Sequence, residues 1–464
     1  MPSEPLTDAR VSPGDFSMSL PGIPDGDVDA AVGRSGEAFR GWAGCSLDER
    51  IVLLERCREV LRSRSEEMAR LIAIETGKPI REARLEMGAV VAKFGLAFAD
   101  AERILRDEEI VDGPHPAVVR RRPRGPAAVI APFNFPVHLG HGAAVAYLLA
   151  GNPVLFKPSP LAVNVGVAYA EAMASVLPGG VFEFVPGGGA TGRALAVDPR
   201  VRSVCFTGSI PVGRALAREL AEDYSKSLAL ELGGKNSAIV WSDADLEASA
   251  AGVADGMCLT AGQRCNATSR VLVHEAVARS FLERLVESVD RYVPGNPLDD
   301  GTLLGPVISA EAVARYEALV SVQAGEWLRA GGRPGGLGGH YVKPAILLVG
   351  DCGVLDRSDL AQRETFAPIL VVETIRDCDE AILRHDAWDF GLTASIFTND
   401  SGIFDFFAAR LAVGNVYQNL PTTFSPSTLP FGGWGRSGNG HPGGRGFVRF
   451  AADEQSVQWG GLKQ

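Results

Sequence analysis

From about residue 127 onward, short apolar runs alternate with Ala-rich stretches of about ten to twenty residues, and this pattern constrains the fold more than any other feature. The runs AAVIAPF, NPVLF, VFEFV, SVCFT, LALEL and SAIVW are too short for buried helices and are bounded by turn residues, so each predicts a strand. Strands separated by helices predict a parallel, doubly wound α/β sheet covered on both faces. Right-handed crossovers bring the strand C-terminal ends, and the loops after them, to one ligand-collecting edge. After residue 265 a second set (SRVLVHE, AILLV, FAPILVVETI, LTASIFT), with helical runs near 276–292, 309–330 and 402–410, predicts a second α/β domain. At about 150 residues per domain, 464 residues accommodate both.

The flanking segments read differently. Residues 1–27 are rich in Pro, Gly, Ser and Asp, which predicts an extended arm rather than a packed element. Ser46 with Glu49 forms a capping box, and Ile51, Leu54, Leu61, Met68, Leu71 and Ile72 predict helix up to Gly77 and Pro79, its charged faces solvated. The glycine-rich GGRPGGLGG at 331–339 predicts a surface loop.

Charge and cysteine usage remove several function classes. A net charge of −11 opposes attraction to nucleic acid or anionic membrane. Seven cysteines (Cys45, Cys57, Cys205, Cys258, Cys265, Cys352, Cys378) without a C-x-x-C pair disfavour a disulfide framework and a zinc ribbon, and no metal site is expected. With no run of 18 apolar residues and no basic, apolar leader, the expected location is the cytoplasm.

Two glycine patterns compete for a dinucleotide. Gly187, Gly189 and Gly192 satisfy G-x-G-x-x-G after VFEFV but lack an acidic residue about 20 positions on. In FTGSIPVG the strand turns through Gly208 and Ser209 into a helix that also carries Pro211 and Gly213, and its first N–H groups suit a pyrophosphate, although an ordinary strand–turn–helix needs the same glycines. Cys265, in TAGQRCNATSR, stands among small and polar residues beside Arg264, which favours a thiolate; an inert buried thiol is the alternative. Glu231, closing LALEL, puts a carboxylate at the ligand edge or simply at the surface. Asn134, in APFNFP, offers an amide to a developing oxyanion or caps a turn.

Taken together, APFNFP, LLAGNPVLFKPSP, FTGSIPVG, ELGGKN, GQRC, RETFAP, DFGLTASIFTND and PFGGWGRSG resemble the aldehyde dehydrogenase superfamily in order and spacing, from about residue 28 to the C-terminus. The resemblance implies a Rossmann-type cofactor domain (1–103 and 126–232), a second α/β catalytic domain (233–445) and a small oligomerisation element (104–125 and 446–464). It implies that Cys265 attacks the aldehyde to form a thiohemiacetal and then a thioester, with Asn134 holding the oxyanion and Glu231 activating the hydrolytic water. Cofactor contacts carried over by motif position are Phe133, Lys157, Ser159, Gly187, Gly208, Ser209, Gly213, Leu232, Gly233, Glu364 and Phe366. The cofactor is NAD or NADP: Pro160 replaces a glutamate that many NAD-preferring relatives use to accept from ribose hydroxyls and repel a 2′-phosphate. Phe133 stands for a frequent tryptophan, and Ala367 for a usual glycine.

Within the superfamily, NFPVHLGHG, TAGQRC and STLPFGGWGRSGNGHP most resemble the succinylglutamate semialdehyde dehydrogenases, which implies an acidic semialdehyde met by Arg264, Ser427, Thr428 or Arg436. The N-terminus reads as shortened, without an opening hairpin. A homodimer or homotetramer is expected. The competing readings are a CoA-acylating dehydrogenase, which commonly lacks the Glu231 base, a cysteine hydrolase using His138 or His141, and a non-catalytic protein on the same fold.

Overall fold

The computed structural model describes residues 10–111, 115–349 and 352–460. Of the arm expected over 1–27, residues 1–9 lie outside the described residues, and the chain from Arg10 to Leu20 forms a hairpin of β1 (Arg10–Ser12) and β2 (Asp15–Leu20). The expectation of an extended arm without a hairpin is therefore wrong. The same Pro, Gly, Ser and Asp residues build the turn: Asp15 Oδ1 accepts from Ser17 N at 2.9 Å, and Pro13 O accepts from His340 N at 2.8 Å. The hairpin is docked onto the glycine-rich 331–339 loop, where Gly338 O accepts from Phe16 N.

Four helices come next: α1 (Val28–Gly44), α2 (Leu47–Ser63), α3 (Ser65–Thr76) and α4 (Ile80–Ile104). The capping box forms, with Ser46 N donating to Glu49 Oε2 at 2.7 Å and Glu49 N to Ser46 Oγ at 3.2 Å. Helix α3 stops where Gly77 turns left-handed at φ 75°. The charged faces are solvated on α2, where Arg62 pairs with Glu59 in the open. Within the predicted stretch they are not solvated at Glu75, and beyond it Lys78, Glu82, Glu86 and Lys93 are buried as well. Helices α3 and α4 turn the four acidic and basic positions they carry inward, and Lys78 lies buried in the turn between them, a tertiary effect that local charge pattern does not report.

Beyond α4 lie β3 (Glu108–Ile110) and β4 (Ala117–Pro123), which with Ala452–Gln458 make a small antiparallel sheet laced by Arg121–Glu454 and Arg124–Asp453 pairs. The first large sheet contains β5 (Ala127–Ile130), β6 (Val154–Lys157), β7 (Phe182–Phe184), β8 (Ser203–Thr207) and β9 (Ser227–Glu231). Its order is Gly438–Asn439, β9, β8, β5, β6, β7, parallel except for the antiparallel Gly438–Asn439. The crossovers carry α5 (His138–Leu149), α6 (Val163–Ala174), α7 (Gly189–Val197) and α8 (Ile210–Glu219). Leu155, Val204 and Leu230 on one side and Val129, Phe156 and Cys205 on the other feed two apolar layers, as expected for a sheet covered on both faces.

The second large sheet contains β10 (Asn236–Val240), β11 (Thr268–His274), β12 (Gly325–Arg329), β13 (Ala345–Val349) and β14 (Ile369–Ile375). Its order is β12, β13, β14, β11, β10, Thr393–Phe397, Asn415–Gln418, with only β12 antiparallel. The helix expected over 309–330 ends at Val320, and GEWLR instead pairs with β13 as the edge strand β12, where Trp327 packs on the apolar core and donates to Val322 O at 3.2 Å. LALEL and SAIVW, adjacent in sequence, fall into different sheets. The chain therefore crosses from one sheet to the other within Leu232–Lys235, immediately after Glu231.

Candidate active site

Two loops and this crossing segment meet at the strand ends. After β5, Ala131 N still donates to Lys157 O at 2.9 Å, and the chain then runs through Pro132–Pro136 into α5, leaving Asn134 buried. Glu231 is the last residue of β9, paired with Thr207 on one side and Gly438 on the other. Cys265 comes after a run of three left-handed residues, Thr260 (φ 54°), Ala261 (φ 53°) and Gly262 (φ 69°). Two of these are not glycine, and such strain persists only where surrounding contacts hold it. Gln263 braces the run, donating from Nε2 to Thr260 O at 3.1 Å and accepting from Ile308 N at 2.9 Å. Past the thiol, Asn236 Nδ2 donates to Cys265 O at 2.8 Å and Ala267 O at 2.9 Å, tying the loop to the start of β10.

Electrostatics at these groups are unusual. Glu231 is buried, neither carboxylate oxygen has a hydrogen-bond partner, and burial holds its carboxyl well above the ordinary range. The half-buried Cys265 thiol is pushed well above the usual thiol value by burial and then by the charges of Glu231 and Glu364. Arg264 does pull the thiol down, as expected from its place in the sequence, but burial and the two carboxylates outweigh it. Arg264 donates from Nη2 to Glu82 Oε2 at 2.7 Å and from Nε to Thr260 Oγ1 at 3.0 Å, which fixes its guanidinium beside the Cys265 loop.

The expected cofactor residues are arranged along the same edge. Lys157 closes β6 buried, its ammonium donating to Pro158 O at 3.0 Å, and burial lowers it to about 8 against the opposing charge of Asp25. Ser159 Oγ accepts from Leu161 N at 3.2 Å, capping a short turn that contains Pro160. Gly187 precedes α7, and Gly192 in its first turn lies over the Lys157 stem, where a Cβ would stand 3.4 Å from Lys157 Cδ. Gly208 N donates to Glu231 O at 3.0 Å. Exposed Ser209 is the N-cap of α8 but its side chain makes no capping bond, so the helix opens with N–H groups that no side chain occupies. Gly213 packs on Leu232, whose Cδ1 would be 2.8 Å from an added Cβ. At Gly233 a Cβ would strike the Glu364 carboxylate, and Glu364, raised by burial to about 8, accepts from Gly234 N at 3.4 Å. Phe366 is left-handed (φ 49°) and meets Phe133 edge-on, ring centroids 5.8 Å apart.

The other expected contacts are less concentrated. Ser427 is half-buried and Thr428 exposed on the loop before Pro430. Arg436 donates to Gln362 O at 3.4 Å and lies 4.7 Å over the Phe390 ring, its Nε without a partner. His138 and His141, which a cysteine hydrolase would need, are held neutral by burial, both at about 3, and His141 Nδ1 meets the Tyr169 hydroxyl at 3.0 Å. No group of His, Cys, Asp or Glu able to hold a metal ion occurs among the described residues, and none of their helices is long and apolar enough to cross a membrane.

Sequence reasoning missed several residues here. Lys235 is buried with its ammonium unpartnered, lowered to about 7 by burial and Arg270. It and Asn236 both stand inside ELGGKN, so the motif carried the signal. Glu82, Glu86 and Lys78 carried none, since their importance lies in burial.

Comparison with known proteins agrees with this geometry. The aldehyde dehydrogenase family model matches residues 12–457. N-succinylglutamate 5-semialdehyde dehydrogenase 1 of Caulobacter vibrioides is 39% identical over 441 residues, covering 94% of this chain and 91% of that protein. Among solved structures, an NAD-dependent aldehyde dehydrogenase from Sinorhizobium meliloti superimposes with a TM-score of 0.92 at 32% identity, covering 97% of this chain and 91% of that one. An NADP-dependent enzyme of E. coli gives 0.91 at 28% identity, covering 97% and 94%. Since the likeness extends over nearly the whole chain in both sequence and backbone, the protein belongs to the aldehyde dehydrogenase family and is an oxidoreductase that oxidises an aldehyde with a nicotinamide cofactor.

Proposed function

We propose that the protein oxidises an acidic semialdehyde, of the N-succinylglutamate 5-semialdehyde type, to the carboxylic acid, with Cys265 as nucleophile, Asn134 as oxyanion donor and Glu231 as general base. The observation that carries this reading is Glu231: a buried carboxyl with both oxygens unpartnered, whose charge raises the Cys265 thiol and whose own proton affinity is raised by burial, has the character of a general base. Cys265 Sγ bonds to the aldehyde carbon, its proton passing to solvent directly or by way of Glu231, which is left ionised. The oxygen gains the charge and accepts from the Asn134 amide and the Cys265 N–H. A bound nicotinamide supplies the hydride acceptor that converts the thiohemiacetal to a thioester. Glu231 then takes a proton from the water whose oxygen attacks the thioester carbon, and the acid leaves as the thiol reforms.

The residues at the strand edge fit a dinucleotide. Lys157 has two ammonium donors beyond its bond to Pro158 O, and the uncapped start of α8 at Ser209 suits a pyrophosphate. Phe133, Ser159, Gly187, Gly208, Gly213, Leu232, Gly233, Glu364 and Phe366 complete the cofactor surface in this reading. NAD is preferred, with NADP admitted because Pro160 carries no carboxylate to repel a 2′-phosphate. Ser427, Thr428 and Arg436 would meet the substrate carboxylates. We further infer residues 1–103 and 126–232 as the cofactor domain, 233–445 as the catalytic domain, and 104–125 with 446–464 as the element joining subunits of a cytoplasmic dimer or tetramer; residues 112–114 and 461–464 of that element lie outside the described residues.

The test is kcat/KM for acidic and neutral aldehydes, with NAD and NADP in turn. Acidic substrates should be favoured at least about tenfold, and Ser427→Ala with Thr428→Ala should narrow that gap. A gap unchanged by both substitutions refutes the assignment of these hydroxyls.

A further inference from the structure

Cys265 and Asn134 stand on loops of different sheets, yet one helix holds both. Glu82 and Glu86 lie one turn apart on α4, so their side chains leave the same face, and both are buried. Glu82 Oε1 accepts from Thr260 N at 3.3 Å, and its Oε2 accepts from Thr260 Oγ1 and Arg264 Nη2, each at 2.7 Å. Thr260 opens the left-handed run that delivers Cys265, and Arg264 is the residue before the thiol. Glu86 Oε1 accepts from Val137 N and His138 N, both at 3.1 Å, where the Asn134 loop enters α5. Its Oε2 takes Lys78 Nζ. Phe135, next to Asn134, fills the space between the two cations: Lys78 Nζ lies 3.8 Å and the Arg264 guanidinium 5.0 Å from its ring centroid.

A buried ion pair alone is weak evidence for stability, because desolvation offsets its attraction. Here each carboxylate also holds the backbone of a loop that carries a reacting group. We propose that Glu82 and Glu86 are positioning residues that fix Cys265 and Asn134 relative to each other, Glu82 through Thr260 and Glu86 through the first amides of α5. The inference rests on the reading of Cys265 as nucleophile and Asn134 as oxyanion donor.

Two reactions of the full-length protein separate the loops without cofactor or aldehyde. Alkylation by iodoacetamide needs only the thiol, whereas acylation by p-nitrophenyl acetate also needs the oxyanion donor. Asn134→Ala sets the reference, losing acylation but not alkylation. Glu86→Ala should lose acylation by roughly tenfold to a hundredfold, the scale of a 1 Å misplacement, with alkylation within about twofold of wild type. Glu82→Ala should lower both. Lys78→Met with Glu86→Gln removes the ion pair but keeps an oxygen for Val137 N and His138 N, so acylation should persist; this double variant decides the matter even if Glu86→Ala does not fold. Loss of acylation in Asn134→Ala but not in Glu86→Ala, or its loss in the double variant, overturns the inference and leaves the functional reading standing. Unchanged acylation in Asn134→Ala removes the functional reading and this inference with it.

Discussion

Replacing Glu231 by glutamine exchanges one carboxyl oxygen for an amide nitrogen and changes almost no shape. Neither carboxylate oxygen accepts a hydrogen bond within the protein, so the substitution breaks no native contact and the fold should survive. What it removes is the base. General-base catalysis contributes roughly 10²–10⁴ in rate, or about 3–5 kcal/mol of barrier, so kcat for aldehyde oxidation should fall by about that factor while the acyl group remains on Cys265. Intact-mass analysis of a quenched reaction should then show the acyl adduct in Glu231→Gln and little of it in wild type. Stability supplies an independent check. The folded-state pKa is raised, so the contribution of Glu231 is fully present below the unfolded carboxyl value of about 4.3 and is lost as pH rises toward the folded value. The melting temperature of Glu231→Gln should therefore gain on that of wild type as pH rises above roughly 5. A variant with turnover within about fivefold of wild type and no adduct would refute the base assignment.

The same geometry sets three further outcomes. Cys265 should react with iodoacetamide more slowly at pH 7 than a free thiol near 8.5, its rate still climbing above pH 9, because burial, Glu231 and Glu364 raise the thiol; a plateau near pH 7 would contradict this. Gly262→Ala places a Cβ against the Ala367 carbonyl and Pro368 N at a φ of 69°, backbone that cannot move aside, so it should cost about 1–3 kcal/mol and depress Cys265 reactivity, read by denaturant melts and alkylation. Lys157 loses its proton as pH rises through about 8, so KM for the cofactor should climb above that pH in wild type, and should be high and flat in Lys157→Met; an identical pH profile in the two proteins removes Lys157 from the cofactor site.

The sequence made the parallel strands, the capping box, the Gly77 stop and the motif residues legible, because each is a local signal: an apolar run, a Ser–Glu spacing, a turn glycine. The opening hairpin was hidden because its turn residues match the composition of a solvated arm, and only contacts with the distant 331–339 loop show that it is docked. Strand β12 was hidden behind a helical pattern that ends at Val320, since edge pairing with β13 is a long-range decision. Arg264 illustrates the limit at the site itself. Its place beside Cys265 suggests an activating charge, and its charge does lower the thiol, but burial outweighs it and its partner, Glu82, lies 182 positions earlier in the chain. The buried charges of α4 escaped notice for the same reason, since their spacing is that of a solvated helix and only packing distinguishes the two.

The central claim is that an aldehyde is oxidised through the Cys265 thiol and released by water. Absorbance at 340 nm, followed for wild type and Cys265→Ala with an acidic semialdehyde and NAD or NADP, with and without coenzyme A, tests it most directly. The account predicts reduced nicotinamide from wild type whether or not coenzyme A is present, and none from Cys265→Ala. Activity that requires coenzyme A, or that persists without the thiol, would contradict it.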